Sequence, residues 1–211
     1  MIKILRLIEI LALALFFGFP PVLLCVVAAG FVNVIFLEEK GIAYWALGGL
    51  IVGLIIDCLF VKSCITKAYQ MNSKIFVALY LFYSVFVLGM CMGVPILNFA
   101  LGIAAGIYIA RRMHFAAADE QTRKLAFKRT STFCAWAMVM VCCLITFWGA
   151  IGGMIGSRFE APFLSFTFTA PVYFAIAFTG GAVLVLLQYW MTSISAKVAF
   201  RLWALLCEMR R

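Results

Sequence analysis

Residues 75–110 read IFVALYLFYSVFVLGMCMGVPILNFALGIAAGIYIA, and no Lys, Arg, Asp or Glu interrupts them. A helix rises 1.5 Å per residue, so about 20 apolar residues cross the ~30 Å of a bilayer's hydrocarbon. This run is too long for one helix at ordinary tilt. Gly93-Val94-Pro95 stands at its centre, and proline removes a backbone donor and disfavours helix in the residue before it. The stretch is therefore read as a tight hairpin of two short helices, with a re-entrant second arm over 95–110 as the alternative.

Working outward, the 211-residue chain is 67% apolar and 12% charged, with a mean hydropathy of +1.15. A soluble domain of this size needs more charge than that to cover its surface, and a disordered chain needs far less apolar content. The class is an all-α polytopic membrane protein. Six spans are predicted, at about 9–37, 43–61, 75–93, 95–110, 132–156 and 170–192. No run alternates apolar and polar residues as membrane strands do.

An even number of spans puts both termini on one side, and the loops then sort by charge. Lys3, Arg6, Lys62, Lys67, Lys74, Arg111, Arg112, Arg123, Lys124, Lys128, Arg129, Lys197, Arg201, Arg210 and Arg211 fall on one side, and only Lys40 and Arg158 on the other, accounting for all 17 basic residues. Basic loops stay in the cytoplasm, so both ends are read as cytoplasmic, in a plasma or inner membrane. Counting 75–110 as one span would scatter this partition. The net charge of +9 thus marks a surface facing anionic lipid, not a nucleic-acid partner. Tyr44, Trp45, Tyr108, Tyr189 and Trp190 sit at span ends, where interfacial anchors belong. Met1–Arg6 and Val27-Ala28-Ala29 loosely match a cleaved signal, but apolar residues continue to Leu37 and Leu24 is wrong for a lipoprotein site before Cys25, so the first span is read as retained.

Little chain remains outside the lipid: Glu38–Ile42, Gly93–Pro95 and Ser157–Thr169 as outer turns, and basic inner segments. A single domain is expected, with no internal repeat. Asp119 and Glu120 precede Arg123 and Lys124 by four residues, the favourable order for helical ion pairs, which starts the fifth helix near residue 119. From Ser195 to Arg211 the pattern is amphipathic. Lys197, Arg201, Glu208 and Arg211 share one face; Val198, Leu202, Leu205, Leu206 and Met209 share another. This tail is read as an interfacial helix, with protein docking and simple extension of the sixth span as alternatives.

Among residues inside the spans, Asp57 is the most informative. A carboxylate is costly there, and it lies toward the C-terminal end of its helix, so it is expected to meet a basic or donor partner or to carry a proton. Lys62, Arg6, Arg111, Arg112 and Gln188 lie at similar depth. Asn33, Ser84, Asn98, Thr146 and Thr179 are the other embedded polar groups. Asn33, Asn98 and Trp148, below Arg158 and Glu160, form one candidate solute site, with interhelical hydrogen bonding as the structural alternative. The candidate ligand-binding set is therefore Asn33, Asn98, Trp148, Asp57 and Gln188. Glycines at 49 and 53, 89 and 93, 102 and 106, 149 and 153, and 152 and 156 have the four-residue spacing that lets helices approach closely in lipid, within the chain or across a dimer. Pro20 and Pro21 predict a kink in the first helix. Glu9 most simply pairs with Arg6.

The chemistry is narrowed by what is missing. The eight cysteines show no Cys-x-x-Cys spacing and none lies in the longer outer turns. His114, the sole histidine, is read as a solvated loop residue. No zinc-protease, nucleophile-elbow or phosphate-loop motif occurs. No cofactor or metal is expected, and the reading leans away from an enzyme. In size and span count only, the chain resembles the substrate-binding subunits of energy-coupling-factor vitamin transporters. Gly48-Gly49-Leu50-Ile51-Val52-Gly53 followed by Asp57 is similar to a glycine-rich, Asp-ending segment of some of them. Their Ala-x-x-x-Ala contact signature is absent from the first span, and membership is not assigned. The expected function is a small transport-related subunit that binds or passes a solute; the alternatives are an accessory protein acting through its basic face, with a protein partner there, and a lipid-modifying enzyme.

Overall fold

The computed structural model describes residues 2–36, 41–90, 96–156, 159–161 and 164–208. Six helices follow one another: α1 (Ile2–Phe36), α2 (Ile42–Lys67), α3 (Ser73–Met90), α4 (Ile96–Phe115), α5 (Glu120–Gly156) and α6 (Ala170–Glu208). The apolar stretch 75–110 is indeed divided between two helices, and Gly93-Val94-Pro95 itself lies outside the described residues. Among the described residues, four helices carry segments long and apolar enough to cross a membrane, Phe16–Ile35, Ala43–Phe60, Glu120–Ile151 and Ala170–Leu205; Ser73–Phe86 is a shorter apolar segment. At 1.5 Å per residue, α5 and α6 are about 55 and 58 Å long, well beyond the hydrocarbon thickness.

Two sequence expectations are corrected. The connection between α5 and α6 is not only a turn. It contains an antiparallel pair of short strands, β1 (Phe159–Ala161) and β2 (Leu164–Phe168), in register Phe159 to Phe168 and Glu160 to Thr167. β2, LSFTF, alternates apolar and small polar residues with a β-branched threonine, the composition a strand favours. The segment from Ser195 is also no separate interfacial helix over the described residues, because α6 runs unbroken to Glu208. Neither proline nor glycine follows Gly181 to end it, and Ala196 and Ala199 are buried, which holds the segment to the bundle. Its Val198, Leu202 and Leu205 face outward.

The chain forms two compact units, Met1–Ser73 and Lys74–Arg211. In the first, α1 and α2 lie antiparallel through small residues. A Cβ on Gly53 would stand 2.6 Å from Val22 Cα, one on Gly49 2.5 Å from the Cys25 carbonyl oxygen, and one on Gly18 2.5 Å from Asp57 Oδ2. Thus 49, 53 and 57 on α2 meet 25, 22 and 18 on α1 in reverse order. Pro20 and Pro21 lie inside α1, which continues through them.

In the second unit α4 and α6 run parallel. Gly102, Gly106 and Ala110 recur every fourth residue on α4, and Gln188, Thr192 and Ala196 do so on α6. Without side chains on the glycines the backbones close up, and a Cβ on Gly106 would stand 2.6 Å from the Thr192 carbonyl oxygen. α5 crosses antiparallel to α6. Tyr173 fills the gap at Gly149 and donates to the Thr146 carbonyl at 3.3 Å, Gly181 faces Cys142, and Phe127 packs with Ala196 and Ala199. α3 joins through Tyr80, packed with Ala105, Cys134 and Ala137, and through Phe76, stacked on Tyr108 at 4.5 Å. These glycine pairs serve packing within the chain. Of the pairs at 89 and 93 and at 152 and 156, Gly93 is outside the described residues and the side-chain surroundings of the others are not described.

The turn between α4 and α5 is closed at both ends. Ala117 takes a left-handed conformation (φ 47°), and the amides of Ala117 and Ala118 bond the carbonyls of His114 and Met113. This is the double bond that commonly ends a helix, with alanine where glycine is usual. Asp119 then opens α5. Its carboxylate accepts from the Gln121 and Thr122 amides at 3.1 Å each, satisfying donors that the first helical turn leaves unpaired. Glu120 pairs with Lys124 at 2.7 Å as expected, whereas Arg123 lies over the Phe200 ring at 4.3 Å.

A buried amide cluster as candidate functional site

Gln188 is fully buried in the second unit, on the α6 face that meets α4. Gly102 makes the room: a Cβ there would collide with Gln188 Nε2 and stand 2.8 Å from Thr192 Oγ1. From this position Gln188 Nε2 donates to the Tyr80 hydroxyl oxygen on α3 and to the Asn98 main-chain carbonyl on α4, each at 3.1 Å. The Cys134 thiol of α5 and the Ser84 hydroxyl lie against the same phenol oxygen, and Thr192 lies against Cys134. Four helices therefore contribute to one polar centre in an otherwise apolar bundle.

The polar groups divide by what they bond. Thr192 Oγ1 donates to its own helix at Gln188 O (2.9 Å), and Ser195 Oγ to Thr192 O (2.9 Å). Thr146 and Thr179 likewise donate to Cys142 O and Ala175 O within their own helices, not between helices. The amides are different. Asn98 is 2% exposed, yet among the described residues neither its Nδ2 nor its Oδ1 has a hydrogen-bond partner, and Gln188 Oε1 and Ser131 Oγ are also buried without one there. An unmet buried polar group costs about 1–3 kcal/mol, so a folded chain retains such groups where something else answers them. The cluster holds both donors and acceptors and, among the described residues, no His, Asp or Glu of the second unit joins it. Among those residues, too, no three metal-ligating side chains gather. Such a centre can exchange hydrogen bonds with a neutral solute or with water.

Of the five candidates from the sequence, the structure brings Asn98 and Gln188 together. Trp148 is 69% exposed on α5 and takes no part. Asn33 is buried on α1 of the first unit, and Asp57 lies there too, against Gly18. Of the expected partners for Asp57, the side chains of Lys62 and Arg6 are outside the described residues, as is that of Glu9, while Arg111 lies over the Trp203 ring at 4.0 Å. Glu160 belongs to β1, and Arg158 is outside the described residues. Tyr80, Cys134 and Thr192 were missed from sequence. The signal that would have found Thr192 is the pairing of two four-residue spacings, 102-106-110 with 188-192-196.

One end of this second unit collects its cations. The start of α3 brings Lys74, the end of α4 Arg111 and Arg112, the start of α5 Arg123, Lys124, Lys128 and Arg129, and the far end of α6 Lys197 and Arg201. His114 sits there with its Nε2 3.3 Å from Cys207 Sγ and its ring edge-on to Phe200. Partial burial and then the Arg111 charge hold its pKa below the usual histidine value, and it lies within α4 rather than in a loop. No protein-family model, no curated protein and no solved structure matches the chain.

Proposed function

We propose that the chain is a six-span membrane protein with both termini in the cytoplasm of a plasma or inner membrane, and that it is a small transport-related subunit binding or passing a small polar solute at the Asn98–Gln188 cluster. The observation that carries the reading is Asn98, whose buried side-chain amide has neither donor nor acceptor engaged among the described residues, beside the unengaged carbonyl of Gln188. The alternating directions of α3 to α6, and the gathering of cations at one end of their bundle, support the proposed orientation. Membrane lipids, with anionic headgroups at the basic end, are the proposed surroundings. Neither nucleic acid nor a cofactor enters this reading.

The test is solute-dependent stabilisation of the purified full-length protein. A ligand binding only the folded state raises its stability by RT ln(1 + [L]/Kd), about 2.7 kcal/mol at a hundredfold excess over Kd. Neutral solutes rich in hydroxyl or amide groups should raise the melting temperature of the native chain and not that of a folded Asn98→Leu variant. Equal shifts in both proteins refute the site. A second reading is favoured by the stacked pairs Arg111–Trp203 and Arg123–Phe200, which give the basic end fixed positive charge of the kind that docks an acidic partner protein. Co-purification of another subunit, lost when the segment after Ser195 is removed, supports that reading.

A further inference from the structure

We infer that Asp57 is a proton-binding site, its carboxyl group holding a proton that stands in for the backbone donor Pro21 withdraws from the adjoining turn of α1. In an α-helix the amide of each residue donates to the carbonyl four residues earlier. Pro21 has no N–H, so the Phe17 carbonyl loses its helical donor. The next residue, Gly18, is where α2 brings its carboxyl group: a Cβ on Gly18 would stand 2.5 Å from Asp57 Oδ2 and 3.2 Å from its Cγ. Any residue but glycine would exclude that group. Phe17 and Gly18 are both buried, and Asp57 Oδ1 is buried with no hydrogen-bond partner among the described residues.

One turn of α1 therefore holds a carbonyl without its helical donor, and the two carboxyl oxygens of Asp57 lie against the neighbouring Gly18. If the carboxyl were ionised, all three would be acceptors. Acceptors facing acceptors away from water repel, and an uncompensated charge there is costly. A single proton on Asp57 turns one oxygen into a donor, offsetting one of the two that Pro20 and Pro21 remove. The charged groups on the two helices lie at a distance along the chain. Glu9 and Arg6 precede Gly18 on α1 by about 14 and 18 Å of helix rise, and Lys62 and Lys67 follow Asp57 on α2 by about 8 and 15 Å. The other titratable neighbours are thiols, Cys58 beside Asp57 and Cys25 near Gly49. The site uses different residues from the amide cluster and stands or falls separately.

The test is infrared difference spectroscopy on the purified full-length chain, native against Asp57→Asn, with thermal melts in parallel. The native chain should show, at neutral pH, a protonated-carboxyl C=O band that Asp57→Asn removes and that fades as the pH is raised. Asparagine keeps a donor at this place, so Asp57→Asn should melt close to the native chain, while Asp57→Ala melts lower. The band should persist in Lys62→Met. Absence of the band from the native chain at neutral pH overturns the proposal, and so does a band that emerges only in Lys62→Met, which identifies an ion pair. The spectrum of the native chain decides the matter even if Asp57→Ala fails to fold.

Discussion

Gly106→Ala tests whether close backbone approach holds the second unit together. Its added Cβ would collide with Ser195 Oγ and stand 2.6 Å from the Thr192 carbonyl oxygen and 3.0 Å from the Ala196 nitrogen. The hydroxyl can rotate away, but the backbone atoms cannot. Restoring ordinary contact near 3.4 Å requires α4 and α6 to part by about 0.8 Å. A gap of 0.5–1 Å forfeits about a quarter to a half of each van der Waals well along the seam. Overpacking of this kind typically costs about 1–3 kcal/mol, while replacing a helical glycine by alanine returns about 0.5–1 kcal/mol. The net expectation is a loss of up to about 2.5 kcal/mol. Gly48→Ala is the control, because a Cβ there meets nothing within 4 Å and only the propensity gain remains. Both variants would be melted in the same detergent. If Gly106→Ala melts at or above Gly48→Ala, α4 and α6 are not held by this seam and the reasoning fails.

Tyr80→Phe removes one acceptor of Gln188 Nε2 and should lower stability by about 1–3 kcal/mol, measured by the same melts. Ala117→Gly should raise the melting temperature. It relieves a left-handed alanine costing about 1–2 kcal/mol, less about 0.4–1 kcal/mol from the more flexible unfolded chain. The His114 pKa is lowered in the folded chain, so the unfolded chain binds more protons below the ordinary value of 6.5, and stability should fall as pH drops through that value; His114→Gln should flatten the slope. The Asp119 carboxyl is shifted down by its bonds to Thr122 and Gln121. Its contribution is present above 3.8 and lost as pH falls through the folded value, and a pH series of melts on Asp119→Ala should lack that component.

The helices were legible because hydropathy and proline report directly on what a bilayer tolerates: the division of 75–110 and the start of α5 near Asp119 could both be read from residue types alone. What escaped depends on helix rotation. Asn98 and Gln188 stood out as embedded polar residues, yet nothing local indicated that they face one another while Trp148 on α5 turns outward. Tyr80 hid among five aromatic residues of α3, since its hydroxyl matters only once Gln188 reaches it. The tail after Ser195 was misjudged because its charges suggest a helix lying flat, whereas Ala196 and Ala199 give it a small-residue face that packs. Asp119 was expected in an ion pair, but its distance from the first free amides of α5 made it a cap instead.

The elbow between α4 and α5 leaves no slack. Crossed amide bonds tie off the end of one rod, and a carboxylate clasps the beginning of the next within a couple of residues. Two rods joined so tightly swing as a single piece. Sliding α6 past that piece would first have to break the Gln188 bonds to Tyr80 and Asn98.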